Sequence, residues 1–377
     1  MLPVVHLLIA PDSFKGSLTA AEAAAAIARG VARARPDVEL VLRPVADGGE
    51  GTVAAALSAG FRAEPVTVSG PDGRPREALL ALRPGVAVLE LATAAGIGLA
   101  RPAPLTATTR GVGELIVAAL DHGARRIVLG IGGSATTDGG AGMLQALGVR
   151  LLDADGRDVP AGGGGLRSVA RADATGLDPR LAGVELVVAS DVDNPLTGPS
   201  GAAHVFGPQK GASPDEVRTL DAALTRYAAV LARDLGAHVA DVPGAGGAGG
   251  TAAGALAVGG RVVSGAGLVC DLMGVSDVLR GARLVVTGEG ALDEQTLHGK
   301  APAEIAARAG AAGVPCLALA GAVRLPVERL RAAGFRAAHG LTEIEPDVDR
   351  CRAEAARLLP ELAARVIGGL LPPAAAR

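Results

Sequence analysis

The chain has 377 residues and a hydrophobic fraction of 49%, which suffices for two domains with buried cores and excludes an intrinsically disordered protein. With 36 basic and 39 acidic residues the net charge is -3, so no excess of positive charge indicates a nucleic acid or an anionic membrane as a partner. One tyrosine and four phenylalanines are too few for a stacking platform for single-stranded nucleic acid, and the core is expected to be aliphatic.

Short β-branched runs alternate with longer alanine-rich segments, a pattern typical of α/β proteins with mainly parallel strands. The apolar stretch at residues 4–10 is too short to span a membrane and lacks a basic leader, so it is predicted to be the first strand. A helix over 19–35, with Thr19 as N-cap and Glu22 three residues on, precedes a strand at 38–45. Near the other end, the predicted elements are strands at 283–287, 315–320 and 335–339 and helices at 301–312, 326–333 and 348–367. These units suffice for one doubly wound domain of the flavodoxin type.

The middle of the chain has a different order of predicted elements. Strands at 63–68, 77–82 and 86–91 follow each other closely around a turn at 70–75, which predicts an antiparallel meander. A helix at 112–121, a strand at 126–130, a helix at 140–147 and a strand at 184–189 come next. We therefore predict a second α/β domain at 61–280, inserted into a first domain formed by 1–60 plus 281–377. The cleft between two such domains is the expected ligand site.

Cys270, Cys316 and Cys351 are odd in number, widely spaced and mostly in apolar runs. They are predicted to be buried thiols of a protein in a reducing compartment, and the expected location is the cytoplasm. The sequence leaves open whether the protein forms a homo-oligomer.

Only three lysines accompany 33 arginines, and each lysine lies in a glycine-bearing segment: Lys15 in DSFKGS, Lys210 in GPQKGA and Lys300 in LHGKAP. An ammonium group can meet a phosphate oxygen as a point charge, whereas a guanidinium group presents a planar fork. The lysines are therefore candidate phosphate or substrate ligands; for any one of them alone, chance retention at the surface is an adequate explanation.

Five segments combine glycines with hydroxyl groups, and most of them follow a predicted strand: residues 10–17, 45–52, 130–143, 190–212 and 287–302. Glycines let backbone N–H groups approach a ligand, and such concave backbones bind anions. Glycine and aspartate also form ordinary tight turns and helix caps, which would explain any single segment.

The same segments contain carboxylates that could bind Mg²⁺ or accept a proton: Asp47, Glu50, Asp138, Asp191, Asp193, Glu289 and Asp293. Asp47, Glu50 and Asp138 each precede a predicted helix, so helix capping is nearly as good an explanation for them. Neither the P-loop pattern GxxxxGK[ST] nor the protein-kinase motifs occur, no histidine pair has metal-ligand spacing, and GxSxG is absent. The GAGGAG match at 244–249 follows no clear strand and is not interpreted as a dinucleotide site.

The order of these motifs resembles the bacterial glycerate kinases of the type I family over essentially the whole chain. The resemblance is carried by APDSFKGSLTA, PVADGGEGT, TTRGVGELI, GIGGSATTDGGAGMLQALG, SDVDNPLTGPSGAAHVFGPQKGA and TGEGALDEQTLHGKAP. It implies a flavodoxin-like domain with an inserted domain of restriction-endonuclease-like topology. One departure is PGAGGAGGT at 243–251, where Gly247 and Thr251 occupy the variant places.

The resemblance implies ATP- and Mg²⁺-dependent phosphorylation of D-glycerate to 2-phosphoglycerate. As a hypothesis on the loops, Gly132, Gly133 and Ser134 hold the ATP phosphates, and Lys15 or Lys300 neutralises the transferred group. The remaining candidates are Glu289 and Asp293 for Mg²⁺, Asp191 for the hydroxyl proton, Lys210 or Arg110 for the glycerate carboxylate, and Ser17, Asp47 and Glu50 as further substrate-binding residues.

Two alternatives stay open at the level of sequence. A kinase of the same architecture could give 3-phosphoglycerate or act on another small hydroxy acid. A non-catalytic sensor of nucleotides or metabolites could keep the anion-binding loops, although it would be expected to lose some of the acidic residues.

Overall fold

The structure, a computed structural model, describes residues 6–370, so residues 4 and 5 of the predicted first strand lie outside the described residues. The strands are β1 His6–Ile9, β2 Glu39–Leu42, β3 Arg62–Ser69, β4 Pro75–Arg83, β5 Val86–Glu90, β6 Arg126–Gly130, β7 Arg150–Leu152, β8 Arg171–Asp173, β9 Glu185–Ala189, β10 Arg261–Val263, β11 Ala282–Thr287, β12 Ala291–Leu292, β13 Cys316–Ala320, β14 Ala322–Val323 and β15 Phe335–Gly340.

The α-helices are α1 Ala20–Ala34, α2 Thr52–Ser58, α3 Leu91–Ala95, α4 Arg110–Asp121, α5 Ala141–Ala146, α6 Ala202–Phe206, α7 Pro214–Leu235, α8 Gly247–Ala257, α9 Gly265–Leu272, α10 Val275–Leu279, α11 Ala301–Ala311, α12 Val327–Ala332, α13 Val348–Ala353 and α14 Ala355–Leu370. Short 3₁₀ helices lie at Gly163–Ser168, Pro179–Gly183, Pro208–Lys210, Glu294–Leu297 and Leu341–Glu343.

The first of two compact units comprises residues 6–47, 54–60 and 266–370. Its sheet has the order β15-β13-β11-β1-β2, and every pair is parallel, as the sequence predicted. The strand order reverses between β1 and β11. In open α/β sheets, ligands bind outside the carboxyl ends of the strands at such a reversal.

Helices α1 and α14 pack together in this unit. A Cβ at Gly30 would lie 2.3 Å from the carbonyl oxygen of Pro360, so only glycine permits this close approach. The predicted capping box at the start of α1 is confirmed, since Glu22 N–H donates to Thr19 Oγ1 and Thr19 N–H donates to Glu22 Oε2. The predicted single helix at 348–367 is wrong; α13 and α14 are separated at Glu354, where φ is -107° and ψ is 15°.

The second unit comprises residues 48–53 and 61–265. Its main sheet has the order β10-β9-β6-β5-β4-β3. The predicted antiparallel meander is confirmed in β3, β4 and β5, and the other neighbours in this sheet pair in parallel. The chain is thus a mixed α/β protein with a five-stranded parallel sheet and a six-stranded mixed sheet, and β12 with β14 and β7 with β8 form two further two-stranded sheets.

The boundary between the units differs from the predicted one at 280. Residues 266–279 belong to the first unit because Val269, Met273 and Leu279 are buried in its core with Leu8 and Val285. The predicted burial of the cysteines is confirmed, since all three thiols are buried and unpaired. Within residues 6–370 no helix is both long and apolar enough to cross a membrane.

Candidate active site

A cavity of about 310 Å³ lies in the first unit at the carboxyl edge of its sheet. Its walls come from the segments that follow β1, β2, β11, β13 and β15. Six of the residues singled out in the sequence line it: Lys15, Ser17, Asp47, Glu289, Asp293 and Lys300. The structure therefore brings together candidates that are more than 270 residues apart in the chain.

Asp12 is a further lining residue, which the sequence analysis did not single out. It follows β1 and is only 5% exposed, and its carboxylate accepts a hydrogen bond from the Ser13 N–H at 2.6 Å. Burial raises the pKa of Asp12 to about 7, and the negative charge of Asp47 adds to the shift. The signal for Asp12 was its place beside Lys15 in the motif APDSFKGS, directly after a buried strand.

Glu289 and Lys300 form an ion pair on another wall of the cavity. The Lys300 ammonium lies 3.4 Å from Glu289 Oε2, while Glu289 Oε1 accepts a 2.6 Å hydrogen bond from the Thr296 hydroxyl. Burial raises the pKa of Glu289, which is 7% exposed. Asp293 accepts a hydrogen bond from the Gln295 N–H and so caps the 3₁₀ helix Glu294–Leu297. Asp293 therefore has a structural role besides its position in the cavity wall.

Lys15 is exposed on a tight turn between Phe14 and Leu18, where Gly16 adopts a φ of +76°. The Ser17 hydroxyl donates a 2.7 Å hydrogen bond to the carbonyl oxygen of Arg352 in α13, which fixes the turn against that helix. The hydroxyl proton of Ser17 is thus already engaged in this hydrogen bond within the protein. In the part of the chain that the structure describes, the Lys15 ammonium makes no hydrogen bond or ion pair, although its charge lowers the pKa of Asp12.

The other candidates lie in the second unit. The loop after β6 contains Gly132, Gly133 and Ser134 and packs against the segment 48–53. A Cβ at Gly132 would lie 2.5 Å from Gly49 Cα, and Gly133 has a φ of +73° and accepts a hydrogen bond from the Ile97 N–H. Gly132 is thus required by the close backbone approach and Gly133 by its positive φ.

Asp138 at the end of the same loop is fully buried. It accepts hydrogen bonds from the Thr109 N–H and hydroxyl, both at 2.9 Å, and from the N–H groups of Gly140 and Gly142. Burial raises its pKa. The bond from the Gly142 N–H, in the first turn of α5, supports the capping interpretation, and the bonds from Thr109 tie the loop to the start of α4.

Glu50 is exposed, whereas Glu90, which the sequence analysis missed, is 5% exposed and accepts a 2.5 Å hydrogen bond from the Val53 N–H at the start of α2. Burial raises the pKa of Glu90 to about 7.

Asp191 follows β9, is half-buried, and accepts a 2.9 Å hydrogen bond from the Gly265 N–H. Arg110 is exposed and its Nε donates to Glu114 at 3.1 Å.

Lys210 requires a correction, because the sequence suggested a loop cation available to a ligand. It ends the 3₁₀ helix Pro208–Lys210 and is only 3% exposed. Its ammonium donates a 2.6 Å hydrogen bond to the Thr136 carbonyl oxygen beneath the loop that follows β6. Burial lowers the pKa of Lys210 to about 7, and the charge of Asp138 opposes this shift.

The buried Lys210 predicts a stability that depends on pH. Its pKa falls from 10.5 to about 7 on folding, so the unfolded chain binds more protons between these values and stability rises with pH across that window. We expect the free energy of unfolding of the wild type, relative to Lys210→Met, to increase by at most about 1.4 kcal/mol per pH unit between pH 8 and 9. Urea unfolding of both proteins at several pH values measures this slope. A pH-independent difference would contradict the burial of a titrating ammonium. Arg331→Met, which removes an exposed charge from α12, serves as control.

No group of three or more histidine, cysteine, aspartate or glutamate residues suited to a metal ion occurs in residues 6–370. Four carboxylates nevertheless line the cavity: Asp12, Asp47, Glu289 and Asp293. Mg²⁺ in kinases is usually held by one or two carboxylates together with substrate phosphates. The donor set of the cavity fits that mode of binding and not an all-protein metal cage.

Comparison with known proteins adds independent information. The glycerate kinase family profile matches residues 7–370. A "Glycerate kinase" of Halalkalibacterium halodurans is 44% identical over 369 residues, covering 96% of this chain and 97% of that protein. A "Glycerate 2-kinase" of Escherichia coli K12 is 46% identical over 327 residues, covering 85% and 86%. A crystal structure from Salmonella typhimurium LT2, assigned as glycerate kinase 2, has a TM-score of 0.84 and 42% identity, covering 97% of this chain and 98% of that one. The chain belongs to the glycerate kinase family.

Proposed function

We propose that this protein is an ATP-dependent glycerate kinase that transfers the γ-phosphoryl group to D-glycerate and forms 2-phosphoglycerate. The observation that carries the proposal is the family match over residues 7–370, which includes every motif of the candidate site. The 46% identity to a protein named glycerate 2-kinase supports the 2-hydroxyl as acceptor. The cavity supplies what such a reaction requires, namely cations for the phosphates and carboxylates for a metal ion.

We also propose that the first unit is flavodoxin-like and that the second has the restriction-endonuclease-like topology implied by the resemblance. When only the strands of its five-stranded sheet are numbered along the chain, their order is 2-1-3-4-5, which is the flavodoxin order. Residues 48–53 and 61–265 would form the inserted domain. The position of the active site between the domains stays a prediction.

Mg²⁺ is proposed as the metal, with Glu289 and Asp293 as its protein ligands. Both carboxylates line the cavity, and each retains acceptor capacity beside its bond to Thr296 or Gln295. When bound, the ion would neutralise charge on the ATP phosphates. Lys300, which pairs with Glu289, would hold that carboxylate in place and lie next to the transferred group.

The remaining roles are proposed as follows. Lys15 would meet the transferred phosphoryl group, the backbone of Gly132, Gly133 and Ser134 would bind ATP phosphates, and Asp191 would accept the hydroxyl proton. Asp47 and Glu50 are proposed to contact the substrate, together with the turn that Ser17 anchors. For the glycerate carboxylate, Lys210 is enclosed, whereas Arg110 is exposed, donates its Nε–H to Glu114 and does not line the cavity.

The experiment is incubation of the purified protein with ATP, Mg²⁺ and D-glycerate, with phosphorus NMR to identify the product. A 2-phosphoglycerate signal is expected. A 3-phosphoglycerate signal would retain the kinase and correct the acceptor hydroxyl. If ATP binds without turnover of glycerate, a panel of small hydroxy acids is the next arm, and failure of the whole panel would favour a sensor over an enzyme.

A further inference from the structure

Arg324 is a cavity-lining cation with no role so far. It follows β14, in the segment after β13, and its side chain is exposed. Among residues 6–370, no hydrogen bond or ion pair of its guanidinium is found, in contrast to Lys300, which pairs with Glu289. An unpartnered guanidinium in a cavity wall is available to an anionic ligand, and its planar fork matches the two oxygens of a carboxylate.

The backbone of Arg324 is held firmly although its side chain is exposed. Its N–H donates a 2.9 Å hydrogen bond to the Leu292 carbonyl oxygen, extending the parallel pairing of β12 with β14. Just before this ladder, the Gly321 N–H donates to the Glu289 carbonyl oxygen at 3.1 Å. A Cβ at Gly321 would lie 2.3 Å from the Gly290 carbonyl oxygen, so the two loops are in close contact. Backbone hydrogen bonds therefore tie the segment that carries Arg324 to the segment that carries Glu289.

The cations of the cavity differ in what they can still bind. Lys300 is paired with Glu289, and Arg352 lies 3.4 Å from Asp349. Lys15 and Arg324 are the two cavity cations that make no ion pair within the described residues. Two such cations on one cavity suit a ligand with two anionic groups, and an acid that receives a phosphoryl group becomes such a ligand.

We propose that Arg324 binds the carboxylate of the hydroxy-acid substrate, while Lys15 faces the phosphoryl group. This assignment rests on the proposed function and replaces Lys210 and Arg110 as candidates for the carboxylate. An ATP phosphate presents similar oxyanion chemistry, so the experiment has to separate the two ligands. A guanidinium that recognises a carboxylate by two parallel hydrogen bonds is not replaced by lysine without loss.

The test compares Arg324→Met and Arg324→Lys with the wild type and with Arg331→Met. Arg331 is an exposed arginine of α12 that does not line the cavity, so its variant controls for the loss of one surface charge. The measurements are KM for D-glycerate, KM for ATP, kcat, and the Kd of D-glycerate by calorimetry without ATP. Thermal unfolding checks that each variant is folded.

For Arg324→Met we expect KM and Kd for D-glycerate to rise roughly 10- to 150-fold, the range for loss of hydrogen bonds between charged groups. KM for ATP is expected to stay within about twofold, Arg324→Lys to lie between the wild type and Arg324→Met, and Arg331→Met to behave like the wild type. A rise confined to KM for ATP would overturn the carboxylate assignment in favour of a phosphate ligand. Unchanged constants for both substrates would also overturn it.

Failure of the proposed function has a different signature. A wild type that binds D-glycerate in calorimetry without turning it over would refute the kinase, and the Kd of the Arg324 variants would still decide whether this arginine binds the carboxylate. A wild type that binds ATP but shows no binding of D-glycerate would overturn the carboxylate assignment itself.

Discussion

Replacing Lys15 with methionine is expected to lower kcat/KM for glycerate phosphorylation by about 10²- to 10³-fold, the cost of removing one group that stabilises developing charge in a transition state. Its ammonium lines the cavity and makes no hydrogen bond or ion pair within residues 6–370, so its positive charge is available to a ligand. For the same reason the fold should tolerate the change. The turn around Lys15 is held by the Ser17 hydroxyl and by backbone bonds between Phe14 and Leu18, which the substitution leaves in place.

Steady-state kinetics with saturating ATP and varied D-glycerate measure the effect, and thermal unfolding checks the fold. Lys15→Arg keeps the charge but exchanges a compact ammonium for a wider fork, and we expect it to recover only part of the activity. Lys300→Met is a separate case because it removes the partner of Glu289 and leaves a buried carboxylate uncompensated, so stability should fall along with activity. If Lys15→Met retained more than a tenth of wild-type kcat/KM, Lys15 would have no part in the chemistry.

Local patterns were enough to predict much of the fold. The strands of both sheets are short apolar runs bounded by glycine, proline and polar residues, and Thr19 with Glu22 marks the start of α1 by a purely local pair of hydrogen bonds. The break between α13 and α14 could not be predicted in the same way. Apolar periodicity continues through Glu354, but the backbone leaves the helical conformation at that residue, and α14 beyond it packs against α1.

The boundary between the two units at 265 could not be predicted from local patterns either, because it is defined by tertiary contacts. The segment 266–279 is rich in leucine and valine, as the cores of both units are, and its assignment follows from the core in which Val269 and Met273 are buried. The 22-residue α7 carried a signal that was overlooked, the capping box formed by Ser213 and Glu216. A local rule would have located its start.

At the candidate site, the motifs identified the right loops but not the state of each side chain. Lys210 and Lys15 both lie beside glycine in the sequence, yet one ammonium is enclosed under the loop after β6 and the other is exposed. Asp12 and Glu90 were not predicted because a carboxylate at or just after the end of a buried strand resembles an ordinary turn residue until its burial is known. Burial is set by neighbours distant in sequence, which no local pattern contains.

The glycine-rich run at 243–251 illustrates the same limit. Residues 248–250 are consecutive left-handed residues, and Ala248 is the non-glycine residue with positive φ in residues 6–370, at 54°. A Cβ at Gly249 would lie 1.9 Å from the Thr136 carbonyl oxygen, the same atom that accepts the Lys210 hydrogen bond. The glycines are therefore required for close packing beneath the proposed phosphate loop, and loop flexibility is not needed to explain them.

The proton acceptor is open to a direct comparison of two carboxylates. We expect Asp191→Asn to lower kcat by about 10²- to 10⁴-fold, the usual contribution of a general base. The substitution retains the hydrogen bond from the Gly265 N–H, because an asparagine Oδ1 can still accept it. Asp12→Asn is the matched variant: it likewise keeps an acceptor for the Ser13 N–H and removes only the ability to take up a proton and the negative charge.

The two candidate bases, Asp191 and Asp12, predict different pH dependences of kcat/KM. Asp12 has a pKa of about 7, so if it were the base, kcat/KM of the wild type would rise with pH through that value, and Asp12→Asn would abolish the rise together with most of the activity. A loss of less than tenfold for Asp191→Asn, combined with such a profile, would transfer the role of base to Asp12. A loss above about 100-fold for Asp191→Asn, with the pH profile of Asp12→Asn still following that of the wild type, would keep Asp191 as the base and leave Asp12 to the charge balance of the cavity.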